Sequence, residues 1–128
     1  GCIETPAKTP DHERLTRLFD ELQKIIKKFK PDRAAVERLF FEKNAKTAIQ
    51  VGQARGVVML ALALEKVPQQ EFTPLQVKMA TCGYGRADKA QVQQMIMRIF
   101  KLSSPPQPDD AADALAIALT AAYTRLEA

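Results

Sequence analysis

Leu15, Leu18, Phe19, Leu22, Ile25, Ile26 and Phe29 recur at three- and four-residue spacing, with lysines and glutamates on the other side of the register. That period is one face of an amphipathic helix packed on a core. Thr9-Pro10-Asp11 marks its start, Lys27 and Lys28 suit its C-terminal end, and Pro31-Asp32 turns the chain out of it. Arg33 to Arg38 has the continuous apolar centre Ala34-Ala35-Val36, a run that favours a short strand covered on both faces.

From about Asn44 to Lys66 the spacing is again helical, but apolar residues stand nearly all round: Ile49, Val51, Ala54, Val57, Val58, Leu60, Ala61, Leu62 and Leu64. A helix with no polar face has two partners. Gly52 and Gly56, one turn apart, would let another backbone approach closely. One reading puts one face on a sheet and the other on a second subunit. The other makes it a fully buried central helix, and periodicity does not tell the two apart.

Pro68 to Phe72 reads as a second short strand and Pro74 to about Ala80 as a helix, followed by the flexible loop Gly83-Tyr84-Gly85. Asp88 to about Phe100 is another amphipathic helix, with Val92, Met95, Ile96, Ile99 and Phe100 inward. Ser103 to Pro108 is a linker, and Asp109 to Thr124 a final helix whose alanines make it thin enough to lie close against a sheet. Helix, strand, helix, strand and three helices define an α/β chain. No internal repeat interrupts this order.

At 128 residues and 46% apolar composition, residues 1–128 read as a single domain with a core of its own. The net charge of +4 suits a polyanionic partner without requiring one. Cys2 and Cys82 stand far apart without metal-ligand spacing, so a reducing cytoplasm with plain thiols is expected. The longest unbroken apolar run, Val57 to Leu64, is too short to cross a bilayer, and no signal segment opens the chain. No membrane partner is expected. The start Gly1-Cys2-Ile3-Glu4, lacking an initiator Met, reads as a processed end or as part of something longer.

The candidate chemistry is acidic. Asp110 and Asp113, at i and i+3, share a face at the start of the last helix, and Glu37 closes the first strand. Like charges gathered in this way call for a counter-charge. Hard oxygen ligands on rigid elements suit Mg²⁺, with phosphodiester hydrolysis as the chemistry to test. The plain alternative is that Asp110 and Asp113 are helix-start residues favoured by the macrodipole and Glu37 a solvated strand end. Lys78, Arg86 and Lys89 could form one basic rim that holds phosphate by charge, or could be separately solvated. Phe40 and Phe41, beside Lys43, place two aromatics where a loop is expected, able to stack on unpaired bases, or in one case to cap the core. His12 lacks any catalytic company and reads as surface.

Val36-Glu37, Asn44-Ala45, Gly52-Gln53-Ala54-Arg55-Gly56, Gln76-Val77-Lys78, Gly83-Tyr84-Gly85-Arg86-Ala87-Asp88-Lys89 and Asp110-Ala111-Ala112-Asp113-Ala114-Leu115-Ala116-Ile117-Ala118 together resemble the bacterial RuvC family of Holliday-junction resolvases. Six motifs in order, from Gly1 to about Arg125, make the resemblance specific. It implies a ribonuclease-H-like fold and a homodimer built on the helix around Gly52 to Leu64. It also implies a cytoplasmic, Mg²⁺-dependent endonuclease, with Mn²⁺ as the alternative ion, that nicks four-way junction DNA in recombination and repair alongside a branch-migration helicase. By position, Glu37, Asp110 and Asp113 match metal-binding catalytic acids, Lys78 and Lys89 the basic residues serving the scissile phosphate, and Phe40 the aromatic that stacks on opened bases. Phe41, Lys43 and Arg86 are assigned to DNA from their neighbourhood.

One departure is large. Family members begin with a strand carrying Ile-Asp-Pro-Gly, whose Asp is a fourth acid, and two further strands, all of which would precede this chain. The expectation is therefore an N-terminally truncated, helix-rich ribonuclease-H-like fold with a bare sheet edge and impaired cleavage. Two other functions stay open: a junction-binding, dimerising relative that does not cut, and a ribonuclease-H-like nuclease acting on RNA.

Overall fold

The computed structural model describes residues 1–39 and 45–124. The elements follow the order read from the pattern: α1 (Asp11–Phe29), β1 (Ala34–Glu37), α2 (Ala45–Leu64), β2 (Gln69–Phe72), α3 (Pro74–Cys82), α4 (Lys89–Phe100) and α5 (Asp109–Tyr123). They assemble into two compact units, one formed by α1 and α2 and the other by the strand pair with α3, α4 and α5.

In the helical unit, α1 packs on α2. Ile26 of α1 and Ala61 and Leu62 of α2 are buried there, and Lys27 reaches Glu65 at 3.7 Å. The packed stripe of α1 is narrower than its apolar stripe. Ile25 and Phe29 are exposed, because a single helix as partner covers fewer positions than the sequence offers. α2 is not a buried central helix: Ile49, Gly52, Gly56, Met59, Leu60 and Leu64 are all exposed. Nothing lies within 4 Å of where a Cβ on Gly52 or Gly56 would stand. By length and composition alone α2 is also long and apolar enough to cross a membrane. The helix is longer than the apolar run Val57 to Leu64 because it continues unbroken through Gly52 and Arg55.

In the other unit, β1 and β2 form a two-stranded sheet. The Ala34 N–H donates to the Pro68 carbonyl at 2.9 Å and the Arg38 N–H to that of Phe72 at 2.8 Å. Partners that advance together in number make the pair parallel, which needs a crossover connection between the strands; α2 lies in it. All four β1 residues are half-buried rather than covered on both faces, because among the described residues β1 has β2 as its one strand neighbour. Side chains at i and i+2 share a face. Ala35 lies against the core of Phe72, Val77, Ile96, Ala116, Leu119 and Ala121, and Glu37 extends that face past the core's edge.

The helices around this core start and stop for local reasons. Thr73 caps α3 and Asp88 caps α4, each in a reciprocal capping box, with Gln76 and Gln91 respectively. Gly83 ends α3 at φ +82°, a left-handed conformation that glycine adopts without cost. On α5, Ala111, Ala112, Ala116 and Ala121 are buried, so small side chains let this helix lie close to its neighbours. The buried Thr120 hydroxyl is satisfied by donating to the Ala116 carbonyl at 2.8 Å. α4 turns Ile96 fully inward, with Val92, Met95 and Ile99 half-buried beside it, while Phe100, expected inward, is 40% exposed at the helix end.

Ile96 is the largest side chain with no exposure at all. Ile96→Ala is expected to lower unfolding free energy by about 2–5 kcal/mol through lost transfer energy and the cavity left behind. Thr73→Ala should cost about 1 kcal/mol through the lost cap. Urea denaturation of both variants checks the ranking.

Candidate functional site

The strand that ends at Glu37, the first two and a half turns of α5, and the facing sides of α3 and α4 line a cavity of about 260 Å³. Its floor is apolar, formed by Val77, Val92, Ala116 and Ile117, and its charged groups are Glu37, Asp113, Lys78 and Lys89. Each comes from a different element: β1, α5, α3 and the first residue of α4. Two carboxylates and two ammonium groups thus converge on one concave surface.

Burial is the first cause that holds the Glu37 carboxyl above its ordinary value, and the nearby Asp113 charge is the second. The Lys89 ammonium is shifted upward, first by its hydrogen bond to Asp109 and then by the Asp113 charge. Lys89 Nζ stands 3.3 Å from Asp109 Oδ2. Lys78, half-buried, has no acidic partner within 4 Å among the described residues.

The remaining sequence candidates lie elsewhere. Asp110 is exposed in the first turn of α5 and does not line the cavity, although its charge reaches Lys89. Arg86 is exposed in the loop between α3 and α4, also outside the cavity lining. Phe40, Phe41 and Lys43 lie outside the described residues. Among the described residues no group of three or more His, Cys, Asp or Glu side chains gathers closely enough to hold a metal ion. What gathers is a pair, Glu37 and Asp113. Sequence reasoning overlooked Asp109, treated there only as a helix start. Its i, i+4 relation to Asp113 puts both on one face of α5, and that spacing was the available signal.

A parallel strand pair backed by an alanine-rich helix, with acids and lysines around one cavity at the strand's end, defines an α/β protein with a site suited to phosphate chemistry. A family model described as "Crossover junction endodeoxyribonuclease RuvC" matches residues 1–121. The RuvC protein of Chloroflexus aurantiacus is 55% identical over 124 residues, covering 97% of this chain and 76% of that protein. The RuvC of Desulfitobacterium hafniense is likewise 55% identical, with 75% of its length covered. Thermus thermophilus RuvC superimposes with a TM-score of 0.87 at 38% identity over 94% of this chain and 72% of that one. The same protein in complex with a Holliday junction substrate superimposes with a TM-score of 0.90, covering 73% of that chain. The chain belongs to the RuvC family of crossover junction endodeoxyribonucleases.

The raised Glu37 value has a thermodynamic consequence with a definite sign. Folded Glu37 holds its proton more tightly than the unfolded chain does, so ionising it costs the folded state free energy. The cost is absent below the ordinary value of 4.5 and complete once pH exceeds the raised folded value. Glu37→Gln is therefore expected to melt higher than the unsubstituted protein at pH 7 in EDTA, with the difference closing as pH falls through 4.5. A difference of equal size at pH 4 and pH 7 would contradict the assignment.

Proposed function

We propose that the chain acts as a structure-specific endodeoxyribonuclease that resolves four-way DNA junctions in recombination and repair. The observation that carries this reading is the convergence of Glu37, Asp113, Lys78 and Lys89 on one cavity in a member of the RuvC family. Residues of both compact units fall within the family match, which supports treating them as parts of one nuclease domain.

In this reading Glu37 and Asp113 hold a divalent cation, and Asp110 adds charge from the helix start. The donor set fits such an ion in kind, since Mg²⁺ is commonly held by one or two carboxylates and completed by water and substrate phosphate. When bound, the ion would polarise the phosphodiester and activate water. Glu37 is half-buried and feels the charge of the exposed Asp113, so a bound cation would offset both its burial and that repulsion. Lys78 and Lys89 bind the phosphate oxygens by charge and orient the strand over the cavity. Arg86, Lys43, Phe40 and Phe41 are assigned to DNA outside it, the aromatics by stacking. Mn²⁺ would serve the same donors.

The exposed stripe of Ile49, Gly52, Gly56, Leu60 and Leu64 on α2 supports a homodimer in which two such helices meet. A membrane span is the poorer use of α2. Arg55 at mid-helix would cost about 2.5–3.5 kcal/mol in a bilayer, and the helix packs on the charge-rich α1. A cytoplasmic bacterial enzyme working beside a branch-migration helicase agrees with these assignments.

A second reading, junction binding without cleavage, is favoured by the lack of a three-residue metal cluster among the described residues. The two separate on one variant. Asp113→Asn is expected to reduce divalent-dependent nicking of a four-way junction by roughly 10²-fold or more, the scale lost with one preorganised electrostatic group, while junction affinity in a gel-shift assay changes little. Equal loss of both would assign α5 a structural role. Cleavage of an RNA–DNA hybrid in place of the junction would move the chain to the ribonuclease class.

A further inference from the structure

Lys89 is the first residue of α4, where the helix presents unpaired N–H groups and positive potential. A cation is placed there against the local field. Asp109, the first residue of α5, meets it: Oδ2 lies 3.3 Å from Lys89 Nζ, and Oδ1 accepts from Gln93 Nε2, one turn further along α4, at 3.5 Å. One exposed carboxylate thus contacts two α4 side chains and pairs with an ammonium that lines the cavity and feels the Asp113 charge. Lys78, on the other side of the same cavity, has no such partner among the described residues. Of the two lysines that line the site, only Lys89 has an acidic partner among the described residues.

We propose that Asp109 is a specificity-determining residue that competes with the DNA backbone for Lys89. Held by Asp109, Lys89 contributes no phosphate contact to DNA that merely lies across the protein. It is released when a phosphate sits at the cavity and offers a closer anionic partner. The carboxylate thereby weakens indiscriminate binding more than binding in register. The inference rests on the nuclease reading, because it takes DNA phosphate as the ligand of Lys89.

The test is equilibrium binding of the whole chain to linear duplex and to a four-way junction without divalent cations, across a range of salt concentrations. Each phosphate neutralised by a lysine adds about 0.9 to the slope of log affinity against log salt on duplex DNA. Asp109→Asn is expected to tighten duplex binding by up to roughly five-fold, the range open to an exposed ion pair. It should steepen the salt slope by about one, with a smaller gain on the junction. The same substitution made with Lys89→Ala must lose the steepening, since only the through-space effect of removing one negative charge then remains. An unchanged slope in Asp109→Asn, or an equal change with and without Lys89, overturns the proposal while leaving the nuclease reading intact. Failure of the unsubstituted chain to bind either DNA overturns both.

Discussion

Glu37, half-buried, and Asp113, exposed, are two like charges that line one cavity, each carried by an element packed into the core of this unit. Glu37 is fixed by the parallel β1–β2 ladder, whose last bond runs from the Arg38 N–H to Phe72 just beyond it. Asp113 is fixed by α5, which approaches closely because Ala112 and Ala116 on either side of it are almost fully buried. Larger residues there would push the helix out and relax the repulsion. The core of Phe72, Val77, Ile96 and Leu119 carries the elements that bear the two carboxylates, and Glu37 is raised first by its burial there and second by the Asp113 charge.

The cost of that charge explains the placing of the basic residues. Lys78 comes from a helix whose start is set by the Thr73 capping box, and Lys89 from one set by the Asp88 box. Two locally determined helix starts thus deliver two cations to the same cavity as the acids. Such a mixed site is neither a closed metal cage nor a plain basic patch. It neutralises itself in part while leaving capacity for a cation on one side and an anion on the other, the combination a phosphodiester requires.

The elements were legible in the sequence because their signals are local. Proline and aspartate at helix starts, the Gly83-Tyr84-Gly85 loop, and three- and four-residue spacing placed the seven described elements in order, with boundaries moved by a residue or two. What each face touches was less legible. Ile25, Phe29 and Phe100 belong to apolar stripes but lie exposed, because a period gives the direction of a face and not the width of what covers it. In α2 apolar residues all round left burial and exposure undecided, and the structure has one covered side and one open side. The meeting of Glu37 with Asp113 depends on contacts between elements distant in sequence, which no local pattern contains. There the likeness to a known family carried the expectation.

The three aspartates at the start of α5 show how helical geometry divides one chemical type among several environments. All three are exposed, but Asp113 lines the cavity, Asp109 contacts Lys89 and Gln93, and Asp110 does neither. Asp109 and Asp113 differ by four residues and so lie nearly above one another, which is why a single lysine feels both. Asp110 is offset around the helix and reaches Lys89 only through space. The acidic motif therefore acts as a gradient along one helix face: the inner acid repels Glu37 and attracts positive charge inward, and the outer one draws Lys89 back toward the rim. The balance between those two pulls sets how readily the ammonium answers a phosphate. That balance depends on the register of α5 against α4, fixed by the alanine contacts that also hold Asp113 beside Glu37.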